Sequence, residues 1–159
     1  MQYQAVVFDM DGVIFDTERL VIEFWKEVAK KHNIPNVEHT CIQCLGTNRV
    51  RTREIFLENY GADFPFDPYR AEVTELFNTH YKGVPLPTKP GVRELLSYLQ
   101  EQDIKVGLAS STAQHLVRDE IGTAGLLPYF QTLVCGDMVE HSKPAPDIFL
   151  KACEILNAD

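Results

Sequence analysis

The chain has 159 residues, of which 45% are hydrophobic and 24% are charged, a composition typical of a globular protein. Its formal net charge of -8 at pH 7 argues against loose binding to nucleic acid or to an anionic membrane surface. No apolar stretch approaches the roughly 20 residues that span a bilayer, and no signal-peptide pattern opens the chain. We therefore expect a cytoplasmic protein without nucleic-acid or membrane partners.

Two acids, Asp9 and Asp11, follow the apolar run Ala5–Phe8. The run is β-branched and aromatic without polar alternation, which predicts a short strand buried on both faces of a parallel sheet. The acids would lie at the carboxyl end of that strand, where open α/β sheets bind their ligands. Because bare buried carboxylates are very costly, the pair predicts a hydrated, metal-binding or catalytic position.

Residues 17–82 carry helical patterns throughout. One helix begins near Thr17 and ends before Asn33, and further helices are predicted over Arg49–Tyr60 and 68–81. Cys41 and Cys44 form a CxxC pair within this segment. No second pair lies at zinc-finger spacing, so we interpret all four cysteines of the chain as reduced, partly buried thiols.

Three prolines and two glycines within residues 83–91 predict a boundary, after which strands and helices alternate. The patterns predict strands over 104–109 and 132–135, and helices over 92–102, 113–124 and 146–156. On the helix over 92–102 we expect Leu95, Leu96 and Leu99 to face inward. This alternation favours an α/β fold with a parallel sheet, interrupted after its first strand by an all-helical insert.

Other polar residues lie where the later strands end. Ser110, Ser111 and Thr112 lead into a helix, where hydroxyls and free backbone N–H groups form an anion site, although plain capping by Ser or Thr fits equally. Lys143 lies between a strand and a helix, either as a solvated loop lysine or as a charge positioned by neighbouring prolines. With the two acids, this set suits a phosphate monoester and a divalent cation, and oxygen ligands suit magnesium.

These motifs resemble those of the haloacid dehalogenase superfamily. Asp9–Glu18 is similar to its first motif, Ser110 to its second, and Lys143–Phe149 to its third, in a form typical of the β-phosphoglucomutase-like subfamily. The helical insert resembles the four-helix cap of that subfamily. The resemblance implies a Rossmann-like core formed by residues 1–16 and 84–159, with a helical cap domain at 17–83.

The resemblance also implies roles for individual residues. Asp9 would be the nucleophile that forms an aspartyl-phosphate, and Asp11 the general acid and base; the Asp9 carboxylate and the Asp11 backbone carbonyl would help to hold Mg²⁺. Ser110, Ser111 and Lys143 would bind the phosphoryl oxygens.

In the insert, Gly46-Thr47-Asn48-Arg49 resembles a substrate-recognition loop in which Arg49 would grip a second phosphate. A solvated arginine at a helix start remains an alternative for Arg49, and Arg51 and Arg53 compete for the role.

The expected function is a magnesium-dependent phosphatase of a small phosphorylated metabolite, with sugar phosphates as the expected class. A phosphosugar mutase of the β-phosphoglucomutase type is one alternative, and an inactive fragment or binding module is another. A dehalogenase is disfavoured because Asp11 marks the phosphoryl-transfer branch. The family's fourth, acidic motif does not follow the last predicted helix, so we expect a fragment of a longer enzyme.

Overall fold

The structure is a computed structural model that describes residues 3–47, 49–141 and 143–158, and the chain packs as two compact units. Met1–Asp16 and Gly83–Asp159 form the core unit, and Thr17–Lys82 forms the helical unit. Among the described residues, no helix is both long and apolar enough to cross a membrane.

A single strand precedes a run of helices, and helices and strands alternate after that run. In chain order they are β1 (Ala5–Phe8), α1 (Thr17–His32), α2 (Val37–Gln43), α3 (Arg49–Tyr60), α4 (Phe66–His80), α5 (Val92–Glu101), β2 (Lys105–Ser110), α6 (Gln114–Thr123), β3 (Thr132–Cys135) and α7 (Asp147–Leu156). Two short 3-10 helices, Leu127–Tyr129 and Gly136–Met138, flank β3 and were not predicted from the sequence.

A parallel sheet forms the centre of the core unit, as predicted, and its strands lie in the order β1-β2-β3. Phe8 pairs with Leu108 and Ser110 pairs with Cys135, so the three carboxyl ends lie at one edge of the sheet. The side chains of β2 after Lys105 are buried, whereas those of β1 are only half-buried. The expectation that β1 is buried on both faces was therefore wrong, because within the described residues β1 has a neighbouring strand on one side only.

Helix α7 packs on the sheet through apolar side chains. Ala109, Val134, Ile148 and Ala152 form one buried cluster between β2, β3 and α7. A Cβ atom on Gly107 would lie 3.1 Å from Leu156 Cδ1, so a larger residue there would crowd the end of α7. This close packing fixes where α7 starts, and with it the loop that carries Lys143.

The helical unit has an aromatic core around Trp25. The ring of Trp25 lies 4.4 Å from that of Phe56 and 5.9 Å from that of Phe66, and all three side chains are buried. Helix α4 starts at Phe66, two residues before the predicted position, and Phe66 belongs to this cluster. Cys41 is also buried here, and burial raises the pKa of its thiol to about 12, which keeps it protonated.

One of the residues predicted to face inward on α5 does not do so. Leu96 and Leu99 are buried, but Leu95 is 45% exposed. Leu95 lies at the margin of the apolar face, about 100° around the helix from Leu96. Val92, Leu96 and Leu99 lie within about 60° of one another and form the buried stripe.

The two segments that bound the helical unit in sequence lie side by side in the core unit. The Asp16 N–H donates to the Pro87 carbonyl over 3.0 Å, and the Lys89 N–H donates to the Ile14 carbonyl over 2.9 Å. The ammonium of Lys89 also lies 3.0 Å from the Asp16 carboxylate. These contacts anchor the chain immediately after the two acids.

Glu120 on α6 should make stability depend on pH. Burial, with the nearby charges of Asp11 and Asp119, raises the pKa of Glu120 from 4.5 to about 7. The folded state then binds a proton that the unfolded chain has lost, so the free energy of unfolding falls as the pH rises from 4.5 to 7. Glu120→Gln should remove this dependence of the free energy of unfolding on pH. At pH 8 it should stabilise the protein by about 1–2 kcal/mol, because solvent screens part of the cost of the charged carboxylate. Urea unfolding at several pH values measures this, with exposed Glu101→Gln as control; equal slopes for wild type and Glu120→Gln would contradict it.

Candidate active site

Asp9 lies directly beyond β1, and two donors hold its carboxylate. Asp9 Oδ1 accepts a hydrogen bond of 2.8 Å from the Met10 N–H and one of 2.6 Å from Lys143 Nζ. The side chains of Asp9 and Lys143 are 35% and 25% exposed. The edge of the sheet therefore presents an oriented carboxylate whose charge is offset by an adjacent ammonium group.

A tight turn after Asp9 presents Asp11 at the surface. The Met10 carbonyl accepts hydrogen bonds from the N–H groups of Val13, Ile14 and Phe15, at 3.3, 2.9 and 3.1 Å. The turn requires a φ of 71° at Gly12, in the left-handed region where a side chain would be strained. Met10 and Phe15 are fully buried, which anchors both sides of the turn and leaves Asp11 exposed.

The loop after β2 meets Asp11 through a threonine. Thr112 Oγ1 donates to Asp11 Oδ2 over 3.4 Å. Ser110 is fully buried at the end of β2, and its Oγ accepts the Thr112 N–H over 3.1 Å. Ser111 is exposed between them. The turn held by Ser110 thus places Thr112 against the second of the two acids.

The start of α6 is held by a residue that is distant in the sequence. Ala113 is the N-cap residue and makes no side-chain cap, so neither serine caps the helix. The Gln114 N–H, which the anion-site interpretation treats as free, donates to both Asp137 carboxylate oxygens, at 3.1 and 3.2 Å. The cap comes from a distant residue, which local capping patterns cannot reveal.

Lys143 is a positioned charge rather than a solvated loop lysine. Besides its bond to Asp9, its Nζ lies 5.9 Å from the centre of the Phe149 ring on α7, within range of a cation–π contact. His141 Nδ1 lies 2.9 Å from Asp147 Oδ2, and Lys151 Nζ donates to the Met138 carbonyl over 2.6 Å. The loop before α7 is therefore tied to that helix at Met138 and His141, both of which precede Lys143.

Arg49 lies in the helical unit, at the first residue of α3. Its Nη2 is 3.2 Å from Asp67 Oδ1, and Arg53 Nε is 3.3 Å from the other oxygen of the same carboxylate. Arg51 instead contacts Glu54 and Glu58, and these bonds raise the pKa of its guanidinium. Asn48, which precedes Arg49 in the predicted recognition loop, lies outside the described residues.

The oxygen donors at the sheet edge fit magnesium. No group of three or more His, Cys, Asp or Glu side chains within residues 3–47, 49–141 and 143–158 is arranged to hold a metal. Magnesium, however, is commonly bound by one or two carboxylates with waters and substrate phosphate oxygens completing the shell. Asp9 and Asp11 fit that mode of binding, in which the ion and the substrate are held together.

The family of the chain follows from sequence comparison. A profile of haloacid dehalogenase-like hydrolases matches residues 6–159. The chain belongs to this family. It is therefore an enzyme of the haloacid dehalogenase-like hydrolases, and HAD-type phosphatases generally use Mg²⁺.

Relatives of the chain act on phosphorylated sugars. It is 33% identical to a phosphorylated carbohydrates phosphatase of Thermotoga maritima, over 97% of this chain and 71% of the relative. It is also 33% identical to β-phosphoglucomutase of Bacillus subtilis, over 97% of this chain and 70% of that protein. A crystal structure from Thermotoga maritima superposes with a TM-score of 0.74 at 33% identity, covering 98% of this chain and 72% of the other.

The structure adds Gly136 and Asp137, to which the sequence analysis gave no role, and it gives Thr112 a specific contact. Thr112 contacts Asp11, and Gly136 and Asp137 contact the loop after β2. The available signal was the position of Gly136-Asp137 directly after a predicted strand, which places these residues at the same sheet edge as Asp9.

The ion pair between Lys143 and Asp9 generates a prediction that does not depend on turnover. Lys143→Met removes the cation beside the carboxylate, so Asp9 should repel an incoming phosphate. We expect the affinity for inorganic phosphate in the presence of Mg²⁺ to fall by about 10²-fold, as measured by isothermal titration calorimetry. Lys105→Met, which removes an equal charge that binds the Leu156 carbonyl at the opposite end of β2, is the matched control. Equal losses in the two variants would contradict the prediction.

Proposed function

We propose that the chain is a magnesium-dependent phosphatase of a small phosphorylated metabolite, with sugar phosphates as its substrate class. The observation that carries the proposal is the Asp9 carboxylate at the sheet edge, 2.6 Å from the Lys143 ammonium group. A carboxylate nucleophile must stay ionised and must approach a phosphate dianion. An adjacent cation favours that approach by offsetting negative charge.

In the first half-reaction, an oxygen of Asp9 attacks the phosphorus and the bond from phosphorus to the leaving oxygen breaks. Asp11 gives its proton to that leaving oxygen, so that a neutral sugar hydroxyl departs and an aspartyl-phosphate remains. Lys143, Ser110 and Ser111 bind the non-transferring oxygens of the phosphoryl group. Mg²⁺, held by the Asp9 carboxylate and the Asp11 backbone carbonyl, would neutralise charge on those oxygens.

In the second half-reaction, the oxygen of a water molecule attacks the phosphorus, and Asp11 accepts a proton from that water. The bond between phosphorus and Asp9 breaks, inorganic phosphate leaves, and both acids return to their starting protonation states. The exposed position of Asp11 on its turn, with Thr112 Oγ1 3.4 Å from its carboxylate, suits a group that exchanges protons with substrate and water.

A phosphosugar mutase is the second candidate, supported by the 33% identity to a β-phosphoglucomutase. It shares the aspartyl-phosphate but transfers the phosphoryl group to a sugar hydroxyl instead of water. A coupled assay on β-glucose 1-phosphate, run beside phosphate release from a panel of sugar phosphates, separates the two. Isomerisation without phosphate release would favour the mutase, and the reverse would favour the phosphatase.

A binding module without activity was the third possibility, and phosphate release by the wild-type chain would exclude it. The cytoplasmic location expected from the sequence remains part of the proposal, consistent with a small metabolite as substrate.

Asp9→Asn tests the nucleophile. The amide cannot form the acyl phosphate, so phosphate release should fall by at least about 10³-fold. Acid quenching of the wild type during turnover, followed by peptide mapping, should place a phosphoryl group on Asp9. Asp103→Asn is the control, because Asp103 has a φ of 53° that asparagine also adopts readily. Retained turnover in Asp9→Asn would rule out the mechanism.

Arg49 is proposed to bind a second phosphate of the substrate. Its side chain is 71% exposed, and it shares Asp67 with Arg53, so it can turn to a ligand without leaving that carboxylate unpaired. Arg49→Ala should raise the KM for a sugar bisphosphate about 10-fold, with little effect on a monophosphate. Arg51→Ala, which removes an arginine held by two glutamates on the same helix, should change neither KM. A similar rise in both variants would contradict the assignment.

A further inference from the structure

Gly136, the first residue after β3, lies against the backbone of the loop that follows β2. Its N–H donates to the Thr112 carbonyl over 3.1 Å. A Cβ atom at this position would lie 2.8 Å from the Ser111 carbonyl carbon and 3.3 Å from its Cα, and closer still to its carbonyl oxygen. Backbone atoms cannot move aside as a flexible side chain can, so any other residue at position 136 would displace Ser111.

Asp137, the next residue, holds the start of α6. Both of its carboxylate oxygens accept the Gln114 N–H, at 3.1 and 3.2 Å. Since Ala113 offers no side-chain cap, this contact between residues 23 positions apart replaces the local one. The negative charge also lies at the positive end of the α6 dipole, where it is stabilising.

Together these contacts fix both ends of a short loop. Gly136 sets the position of Ser111 and Thr112, and Asp137 sets that of the residue at which α6 begins. The same loop carries the Ser110 hydroxyl and the Thr112 hydroxyl that contacts Asp11. A shift of the loop would therefore move the phosphate-binding groups and the partner of Asp11 at once.

We propose that Gly136 and Asp137 are positioning residues for the phosphate-binding loop, acting through Ser111, Thr112 and Gln114. The inference rests on the proposed function, because that proposal assigns Ser110 and Ser111 to the phosphoryl oxygens.

Gly136→Ala and Asp137→Ala test the inference, with kcat, KM, the Kd for inorganic phosphate and the unfolding midpoint as readouts. A displacement of about 1 Å in Gly136→Ala should lower kcat/KM by about 10²-fold and raise the phosphate Kd. Asp137→Ala should have a smaller effect in the same direction. Gly122→Ala is the matched glycine control, since a Cβ there meets nothing within 4 Å. Asp137→Asn keeps an oxygen acceptor for Gln114 and should restore most of the lost affinity and kcat/KM.

The outcomes separate a positioning role from a merely structural one. If Gly136→Ala and Asp137→Ala lower the unfolding midpoint but leave kcat/KM and phosphate Kd unchanged, the inference is overturned. Failure of Asp137→Asn to restore what Asp137→Ala loses would also count against it. If Gly136→Ala does not fold, the comparison between Asp137→Ala and Asp137→Asn decides the question.

The same measurements distinguish this inference from the proposed function. The wild type could bind phosphate but release none from any sugar phosphate. If Gly136→Ala and Asp137→Ala then have a higher Kd for phosphate than the wild type, and Gly122→Ala does not, the proposed function fails and the inference stands. If the wild type turns over and the variants match it, the inference fails alone. A wild type that binds no phosphate and shows no turnover overturns both.

Discussion

The ion pair between Asp9 and Lys143 joins residues 134 positions apart in the sequence across 2.6 Å, and the chemistry proposed for the site depends on it. The pair forms only if the end of β1 and the loop before α7 meet at one edge of the sheet. Parallel pairing through β2 brings the strand ends together, and the packing of α7 on Ala109 and Val134 places the loop. This ion pair therefore depends on the order of the strands and on the packing of α7 against them.

The loops at this edge support one another in the order of the strands. Asp11, after β1, contacts Thr112, after β2, and the Thr112 carbonyl in turn accepts the N–H of Gly136, after β3. Each loop is held by the loop beside it rather than by its own strand alone. Such mutual support gives polar groups on loops the precision that binding and catalysis require.

Periodic patterns were sufficient to predict most of the elements. The predicted bounds of α3 and β3 equal the observed ones, because both elements end at a change of pattern or a glycine. The observed β2 is shifted by one residue from its predicted bounds. Leu95 was misplaced because it lies at the margin of the apolar face of α5, just outside the buried stripe. The cap of α6 could not be foreseen, since Asp137 acts on Gln114 only once β3 lies beside β2. Motif order identified Asp9, Ser110 and Lys143 as site candidates, but it contains no information on the close backbone contact at Gly136.

The contacts between residues 14–16 and 87–89 have a consequence for how the chain is built. The Ile14 carbonyl, the Asp16 N–H and the Asp16 carboxylate all bind the segment that returns to the core. Contacts within the core unit therefore hold the two ends of the insertion together. The entropy cost of closing the inserted chain into a loop grows only slowly with its length. Insertions of very different size and architecture are compatible with the same junction, so the acids of the first motif can stay fixed while the inserted module diverges.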